Sequence, residues 1–276
     1  MQYLSFDMRW LMITPLIILL FSHLCTDFFL QNDWLVKKKH DHKPKQRHLA
    51  LLAHSLVFLI LALPLSWLLV NEFSRFYAIG LVIITITHYG IDLLKTNLEK
   101  RIRSKTWAYY FFMLDQILHL LIILSFLAVF YTHGLGKFPL VLADLFNKKD
   151  IDSYFSPLQK SGIILCALIL LTSFTNIFIR IALVSIKPAL QQATEGSNKK
   201  VGRYIGGVER ILTVLAVIAG EYQALVALYG AKAAMRFGQA QKNEEFAEYF
   251  LLGTSTSALI AIVVGLSLKS VLGLHR

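Results

Sequence analysis

Acidic residues, cysteine and proline are all scarce in this chain. Of its 276 residues, 17 are Asp or Glu against 28 Lys or Arg, 2 are Cys and 6 are Pro. Both cysteines, Cys25 and Cys166, fall inside apolar segments, so we do not expect a disulfide framework. No Gly-Lys-Ser/Thr sequence follows Gly202 and Gly206, which excludes a phosphate-binding P-loop there. No small-x-small cleavage site follows the first apolar stretch, and we expect that stretch to be retained as a membrane span.

Long apolar segments are what the chain has in abundance. Hydrophobic residues make up 56% of it, and its mean hydropathy is +0.57. Several segments approach or exceed the roughly 20 residues that a helix needs to cross about 30 Å of hydrocarbon. The sequence therefore predicts an all-α polytopic membrane protein with about seven transmembrane helices. They are expected at 10–31, 49–70, 76–94, 107–131, 161–186, 205–229 and 249–268.

The spacing of these helices predicts three regions. Residues 1–131 form a four-helix transmembrane unit, and residues 161–276 form a three-helix transmembrane unit with a cytoplasmic linker at 187–204. Between them, at 132–160, apolar residues recur at helical spacing before a short charged run. This pattern is typical of an amphipathic segment that lies on the membrane surface, here on the periplasmic side.

The net charge of +11 comes largely from short basic loops between the apolar segments. These loops follow the first, third and fifth predicted helices. Because cytoplasmic loops are enriched in Lys and Arg, the pattern places the N-terminus outside and the C-terminus in the cytoplasm. The bias is clear for the first four helices and weak after them. It predicts the lipid bilayer as a partner of the chain and argues against nucleic-acid binding.

A pattern of His and Asp occurs twice in the first half of the chain, offset by 65 residues. In each copy an Asp follows a His by four positions, so both side chains share one helix face. A second His follows that Asp by 27 positions, and the second copy holds one additional Asp. The first and third predicted helices run in the same direction, which predicts two hairpins related by a parallel repeat. The seven residues are His23, Asp27, His54, His88, Asp92, Asp115 and His119.

These side chains point to a polar centre inside the membrane near the cytoplasmic leaflet. The histidines lie roughly 9–12 Å below the predicted cytoplasmic interface, at 1.5 Å per helical residue. An Asp at a span centre costs about 2.5–3.5 kcal/mol on insertion scales, so such residues are rare and usually functional. Imidazole with carboxylate is a ligand set for divalent transition metals, zinc foremost, and seven candidates suffice for one or two ions. Two alternatives stay open: hydrogen bonds that only pack helices, and a proton or ion path without metal.

Further intramembrane charge occurs in the second half. We expect Arg180 and Arg210 to bind an anionic substrate such as a phosphate or a lipid headgroup, with Glu209 as a general base. The alternative is that both arginines pair with Glu209 or extend to the interface. Three further histidines, His40, His42 and His48, stand in the first basic loop, where a solvated role is expected.

Several short motifs carry a family resemblance. They are His23-Leu-Cys-Thr-Asp27-Phe-Phe-Leu-Gln31, Asp33-Trp34, His54, Thr87-His88-Tyr-Gly-Ile-Asp92-Leu-Leu-Lys95 and Asp115-Gln116-Ile-Leu-His119. Over about the first 125 residues the chain resembles a family of uncharacterised bacterial inner-membrane proteins, domain of unknown function 3307. Its second half, from Gly202-Arg203 through Glu209-Arg210, is similar to the longer members. The resemblance implies a bacterial inner-membrane location and brings no established activity.

The leading hypothesis from the sequence is a membrane-embedded, metal-dependent hydrolase that acts near the cytoplasmic leaflet on an anionic or lipid substrate. An ion-coupled or proton-coupled transporter is the alternative, favoured by the parallel repeat and by the charges in the second half. A third hypothesis is a non-catalytic membrane component whose polar cluster fixes helix packing.

Overall fold

The structure is a computed structural model that describes residues 6–70, 73–102, 104–132, 155–186 and 199–274. Within these ranges the chain is helical, in agreement with the predicted all-α class. Most of the amphipathic segment predicted at 132–160 and of the linker predicted at 187–204 lies outside the described residues. The rest of each falls on helix ends that begin or finish beside these gaps.

Ten helices follow one another in the described ranges, with π-helical turns after two of them. The first three are α1 (Phe6–Leu24, continued by the π-helical turn Cys25–Phe29), α2 (Asp33–Lys39) and α3 (Pro44–Leu69). The next four are α4 (Arg75–Arg101), α5 (Lys105–Thr132), α6 (Pro157–Ile169, continued by the π-helical turn Leu170–Phe174) and α7 (Thr175–Ile186). The last three are α8 (Lys199–Ala219), α9 (Tyr222–Lys242) and α10 (Glu244–Leu272).

Five of the described helical segments are long and apolar enough to cross a membrane. They are α3, α4, α5, the continuous α6–α7 segment and α10. A sixth span results if α1 and α2, which are bent by 88° at the break between them, count as one. The structure thus has the character of a polytopic membrane protein, and the predicted count of seven spans is not confirmed.

The prediction of a single span at 205–229 is wrong. Helix α8 ends at Ala219, and Gly220 then adopts a left-handed conformation with φ of 77°. Glycine reaches this region without steric cost, so it allows the sharp turn into α9. Glu221 therefore lies exposed at the helix break and not in the middle of a span.

The chain divides into two compact units. Unit 1 comprises Met1–Arg103 and Tyr110–Cys166, and unit 2 comprises Ser104–Tyr109 and Ala167–Arg276. Unit 1 therefore contains α1 to α4, most of α5 and most of α6. Unit 2 contains the first residues of α5, the end of α6 and α7 to α10.

The apolar core of unit 1 explains how its helices are ordered. It contains Leu19 of α1, Phe58 of α3, Leu81 of α4 and Leu127 of α5, each at most 1% exposed. In α1 and α4 these core residues precede the histidine of the repeated pattern. In α3 and α5 they follow it. Because the core lies on one side of all four histidines, the histidines occupy one level of the helix bundle.

In unit 2, α8 and α10 approach closely through a glycine. A Cβ atom added to Gly265 would lie 3.0 Å from Cβ of Val217. Val217 and Ala261 are both fully buried, so the two helices pack through small and β-branched side chains. Close approach through small residues is a common way for membrane helices to associate.

Two glycines of α4 give a matched test of the packing in unit 1. A Cβ atom at Gly80 would lie 2.0 Å from Cε2 of Phe126, whereas one at Gly90 would meet nothing within 4 Å. Gly80→Ala should destabilise the protein by roughly 1–3 kcal/mol through overpacking. Gly90→Ala should be neutral or stabilising by up to about 1 kcal/mol, because alanine favours the helix. Thermal unfolding in detergent measures both. Equal melting temperatures for the two variants would contradict this packing.

Candidate metal centre

The seven predicted His and Asp side chains come together in the interior of unit 1. They are contributed by the turn after α1 and by α1, α3, α4 and α5, and their exposed fractions lie between 1% and 7%. The rings of His23 and His88, which belong to the two copies of the sequence pattern, have centroids 5.9 Å apart. Sequence spacing therefore identified a set of residues that the fold places side by side.

Asp27 lies at the middle of this set. Its Oδ1 is 3.1 Å from Nε2 of His54 and 3.4 Å from Nε2 of His88. Its Oδ2 is 3.8 Å from Nδ1 of His23 and 3.5 Å from the amide nitrogen of Gln116. Asp27 stands on the π-helical turn Cys25–Phe29, where the widened helix keeps its side chain buried. Such turns occur often at functional sites.

The four imidazole rings form one cluster. His119 is 4.2 Å from His88 and 4.9 Å from His23 between ring centroids, and His54 is 5.2 Å from His88. The ring of Phe58 stacks on His88 with centroids 6.1 Å apart and separates the cluster from the apolar core. The histidine cluster therefore lies between the polar centre and the apolar side chains of the core.

Two of these histidines have their tautomer fixed by a carbonyl oxygen. Nε2 of His23 lies 3.2 Å from Oε1 of Gln116, and Nδ1 of His119 lies 2.8 Å from the backbone oxygen of Asp115. A carbonyl oxygen only accepts hydrogen bonds, so these nitrogens carry the hydrogen. Nδ1 of His23 and Nε2 of His119 then hold free lone pairs. Metal-binding histidines usually show this arrangement.

Four buried polar atoms of the centre have no hydrogen-bond partner within the described part of the chain. They are Nδ1 of His23, Nε2 of His88, Oδ1 of Asp115 and Nε2 of His119. Buried polar groups are normally paired, and each unpaired one costs about 1–3 kcal/mol. All four are atoms of a kind that binds metal ions.

Three groups of these residues have the spacing to hold a cation. The candidate ligand atoms of each group lie within 4.8 Å of one another. Asp27 belongs to two groups and His88 to two, so the groups are adjacent and share ligands. Imidazole nitrogen with carboxylate oxygen suits zinc and its neighbours among the transition metals. The groups are His23–Asp27–His88, His54–His88–Asp92 and Asp27–Asp115–His119.

Two lysines complete the centre, and sequence reasoning missed both. Lys39, only 6% exposed, donates to Oδ2 of Asp92 at 2.8 Å, and Lys95 donates to Oδ2 of Asp115 at 2.9 Å. The sequence predicts that both lysines lie in basic loops on the cytoplasmic side. Asn32 caps α2 by accepting from the backbone of Leu35, and this capping signal was present in the sequence. Since α2 turns back, it carries Lys39 to the centre.

Gln116 is a third residue that the predictions did not assign to the site. Its amide nitrogen donates to Oδ2 of Asp115 at 2.9 Å, while its carbonyl oxygen accepts from His23. The signal was its position next to Asp115 in a span that is otherwise almost wholly apolar. Gln116 therefore links two of the carboxylates to one histidine.

The loop histidines have other partners. His40 donates to Glu99 at 2.9 Å, and this hydrogen bond raises the pKa of His40 above its ordinary value. Nδ1 of His48 lies 2.6 Å from the hydroxyl of Tyr89, and His42 is exposed. A raised pKa favours the charged imidazolium, which does not bind metal. The expected solvated role agrees with the exposed positions of His40 and His42, whereas His48 is half-buried.

The other three predicted site residues, Arg180, Glu209 and Arg210, belong to unit 2. All three line a cavity of about 710 Å³ in that unit. Arg210 is buried and Arg180 is exposed. Glu209 accepts a short hydrogen bond from Lys232, and among the described contacts it forms no hydrogen bond with Arg180 or Arg210. A carboxylate held by an ammonium group is a poor general base.

These observations define a helical protein of membrane-spanning character with a buried His/Asp/Lys centre. Residues 15–142 match the model of a protein family described as "Protein of unknown function (DUF3307)". This match supports a domain of this family over that range, and it confirms the resemblance drawn from the motifs there. No curated protein and no solved structure matches the chain.

Proposed function

We propose that unit 1 is a membrane-embedded, metal-dependent hydrolase whose centre binds a divalent transition-metal ion, zinc foremost. The observation that carries the proposal is the set of four buried ligand atoms that have no hydrogen-bond partner among the described residues. A bound cation would satisfy lone pairs that would otherwise destabilise the fold. We place this centre in a bacterial inner membrane, near its cytoplasmic leaflet, with the N-terminus outside and with two hairpins related by a parallel repeat.

The group His23–Asp27–His88 is the best candidate for the first ion. Lysines hold Asp92 and Asp115, whereas the partners of Asp27 are histidines and Gln116. The three carboxylates and two ammonium groups give the centre one net negative charge if its histidines are neutral. One divalent ion with a hydroxide would balance that charge, but a second ion would need a further anion. Three protein ligands leave a coordination position open, as in catalytic rather than structural zinc sites.

A metal ion at this position would supply an activated water and polarise the bond to be cleaved. The remaining side chains have roles that follow from their contacts. His119 lies beside His23 and His88 and keeps a free lone pair at Nε2, so it is placed to accept the proton that water releases. His54 orients Asp27, while Lys39 and Lys95 neutralise Asp92 and Asp115 and so lower the repulsion of an anionic substrate.

Proton-coupled or ion-coupled transport is the second candidate, and a different observation favours it. Lys39, Asp92, His54 and Asp27 form a continuous series of polar contacts from α2 into the centre, at 2.8, 3.4 and 3.1 Å. Ionisable groups linked in this way inside a membrane serve as proton relays in pumps and transporters.

Metal content tests the centre directly. Purified wild-type protein should contain about one transition-metal ion per chain, as expected for a three-ligand catalytic site. His23→Ala and His88→Ala should lose most of it, because each removes one of the three ligands. Elemental analysis in detergent measures this, with the exposed His42→Ala as the control that keeps its metal. Equal trace amounts in all four proteins would overturn the metal centre.

Gln116→Leu tests the fixed tautomer of His23. Loss of the carbonyl acceptor should weaken metal binding by roughly 10–100-fold, as for other residues that orient metal ligands. The chelator concentration that removes half the metal gives the affinity. Gln46→Leu changes a glutamine of the same unit outside the centre and should leave the affinity unchanged. If both variants keep wild-type affinity, Gln116 does not orient a ligand.

Turnover and flux assays separate the two functions. The hydrolase should cleave members of a panel of phosphate esters, carboxylic esters and a fluorogenic phospholipid in mixed micelles, and a chelator should stop the reaction until zinc is restored. Asp27→Asn should lower the rate at least about 100-fold, since it removes a ligand of the activating ion, and the exposed Asp33→Asn should not. Proton flux in proteoliposomes that survives chelation and stops in His54→Ala would instead identify a transporter.

A further inference from the structure

The cavity of unit 2 is lined by an unusual excess of positive charge. Its only acidic side chain among the described residues is Glu209. Against this carboxylate stand six basic residues. A concave site lined by charges of one sign attracts ligands of the opposite charge. The six basic residues are Lys105, Arg180, Arg203, Arg210, Lys232 and Arg236.

Within the described part of the chain, the deepest of these charges forms no salt bridge, although the carboxylate of Glu209 is close enough to interact with it electrostatically. Arg210 is 2% exposed, and its guanidinium donates to Oγ of Ser257 at 3.0 Å and to Oδ1 of Asn176 at 2.8 Å. Its Nε donates a short hydrogen bond to the backbone oxygen of Leu171. These acceptors are neutral, and Glu209 is already bound by Lys232. The guanidinium is therefore held in a fixed orientation while its charge stays available.

A glycine makes room for this guanidinium. A Cβ atom at Gly206 would lie 3.2 Å from Nη1 of Arg210 and 3.7 Å from Oδ1 of Asn176. That is tighter than ordinary van der Waals contact, so a larger side chain would push the guanidinium from its place. The wall of the cavity is thus shaped around a positioned cation.

Three helices of unit 2 begin at the cavity. Lys105 starts α5 and Arg203 is in the first turns of α8, whereas Arg180 lies in the middle of α7 and Arg236 in the last third of α9. The first turns of α10 contribute three aromatic residues, Phe246, Tyr249 and Phe250. Helix ends rich in basic and aromatic residues are characteristic of the level of lipid headgroups. A ligand at this level has a charged part and an apolar part.

We infer that the unit 2 cavity binds the phosphate group of an amphiphilic molecule. Arginine pairs with phosphate through two parallel hydrogen bonds. A phosphate carries up to two negative charges, so it neutralises more of the positive charge of the cavity than a carboxylate does. The basic side chains receive the phosphate, and the aromatic wall from α10 contacts its apolar substituent. The inference rests on unit 2 alone and does not depend on the metal centre of unit 1.

Binding assays on the full-length protein in detergent test this assignment. The probes are inorganic phosphate, dihexanoyl phosphatidic acid and dihexanoyl phosphatidylcholine, titrated by calorimetry. The variant Arg180→Gln/Arg236→Gln removes two charges from the cavity and should weaken phosphatidic acid binding at least about tenfold. The variant Lys242→Gln/Lys269→Gln removes two charges from residues that do not line the cavity and should bind as the wild type does.

The pattern across the probes identifies the source of the phosphate. Phosphatidic acid binding that exceeds that of inorganic phosphate, with weak binding of the choline lipid, supports a lipid phosphate. Equal binding of inorganic phosphate and phosphatidic acid points to a free phosphate ligand. The assignment is overturned if the wild type shows no saturable binding of either, or if both double variants lose affinity equally. Metal content should be unchanged in both variants, which keeps this test separate from that of unit 1.

Discussion

A carboxylate buried in hydrocarbon has to be surrounded by groups that hydrogen-bond to it or carry positive charge, and Asp27 imposes this requirement on unit 1. Isolated ionised groups are far too costly in such an environment. Histidines from α1, α3 and α4 and an amide from α5 surround its two oxygens. Four helices must therefore meet at one level, with the apolar core on one side of it. The position of a single carboxylate thus restricts how the whole unit packs.

Some polar groups of the centre have a hydrogen-bond partner and others have none. This difference distinguishes a structural role from a ligand-binding role. Asp92 and Asp115 each have a lysine partner, which is how a purely structural membrane protein would stabilise buried carboxylates. The nitrogens of His23, His88 and His119 that lack a hydrogen-bond partner in the described part of the chain are not accounted for in this way. A network selected only for packing would pair them or replace them with apolar side chains, which is often neutral or stabilising. The lack of a hydrogen-bond partner for these buried nitrogens is the physical argument for a ligand.

Sequence spacing identified the centre because two helical rules applied to it directly. A spacing of four places His23 with Asp27 and His88 with Asp92 on one face, and the repeated offset predicts similar depths in the first and third predicted helices. The same rules could not find Lys39, because its approach to Asp92 depends on the 88° bend between α1 and α2. They also misread 205–229 as one span, since apolar composition continues across the turn at Gly220. Local periodicity predicts which face a residue occupies, but long-range contacts decide where a chain turns.

The polar centre of unit 1 and the cavity of unit 2 carry charge of opposite sign, which argues that their ligands differ. The centre of unit 1 has three carboxylates against two ammonium groups, so a cation would balance its charge. The cavity of unit 2 has six basic side chains against Glu209, so an anion would suit it. A divalent ion would be repelled from the second site, and a phosphate would reach the first only with a metal already there. If both proposals hold, the charge balance would set an order of events in unit 1, in which metal binding precedes any anionic substrate, whereas unit 2 would bind its ligand without a metal.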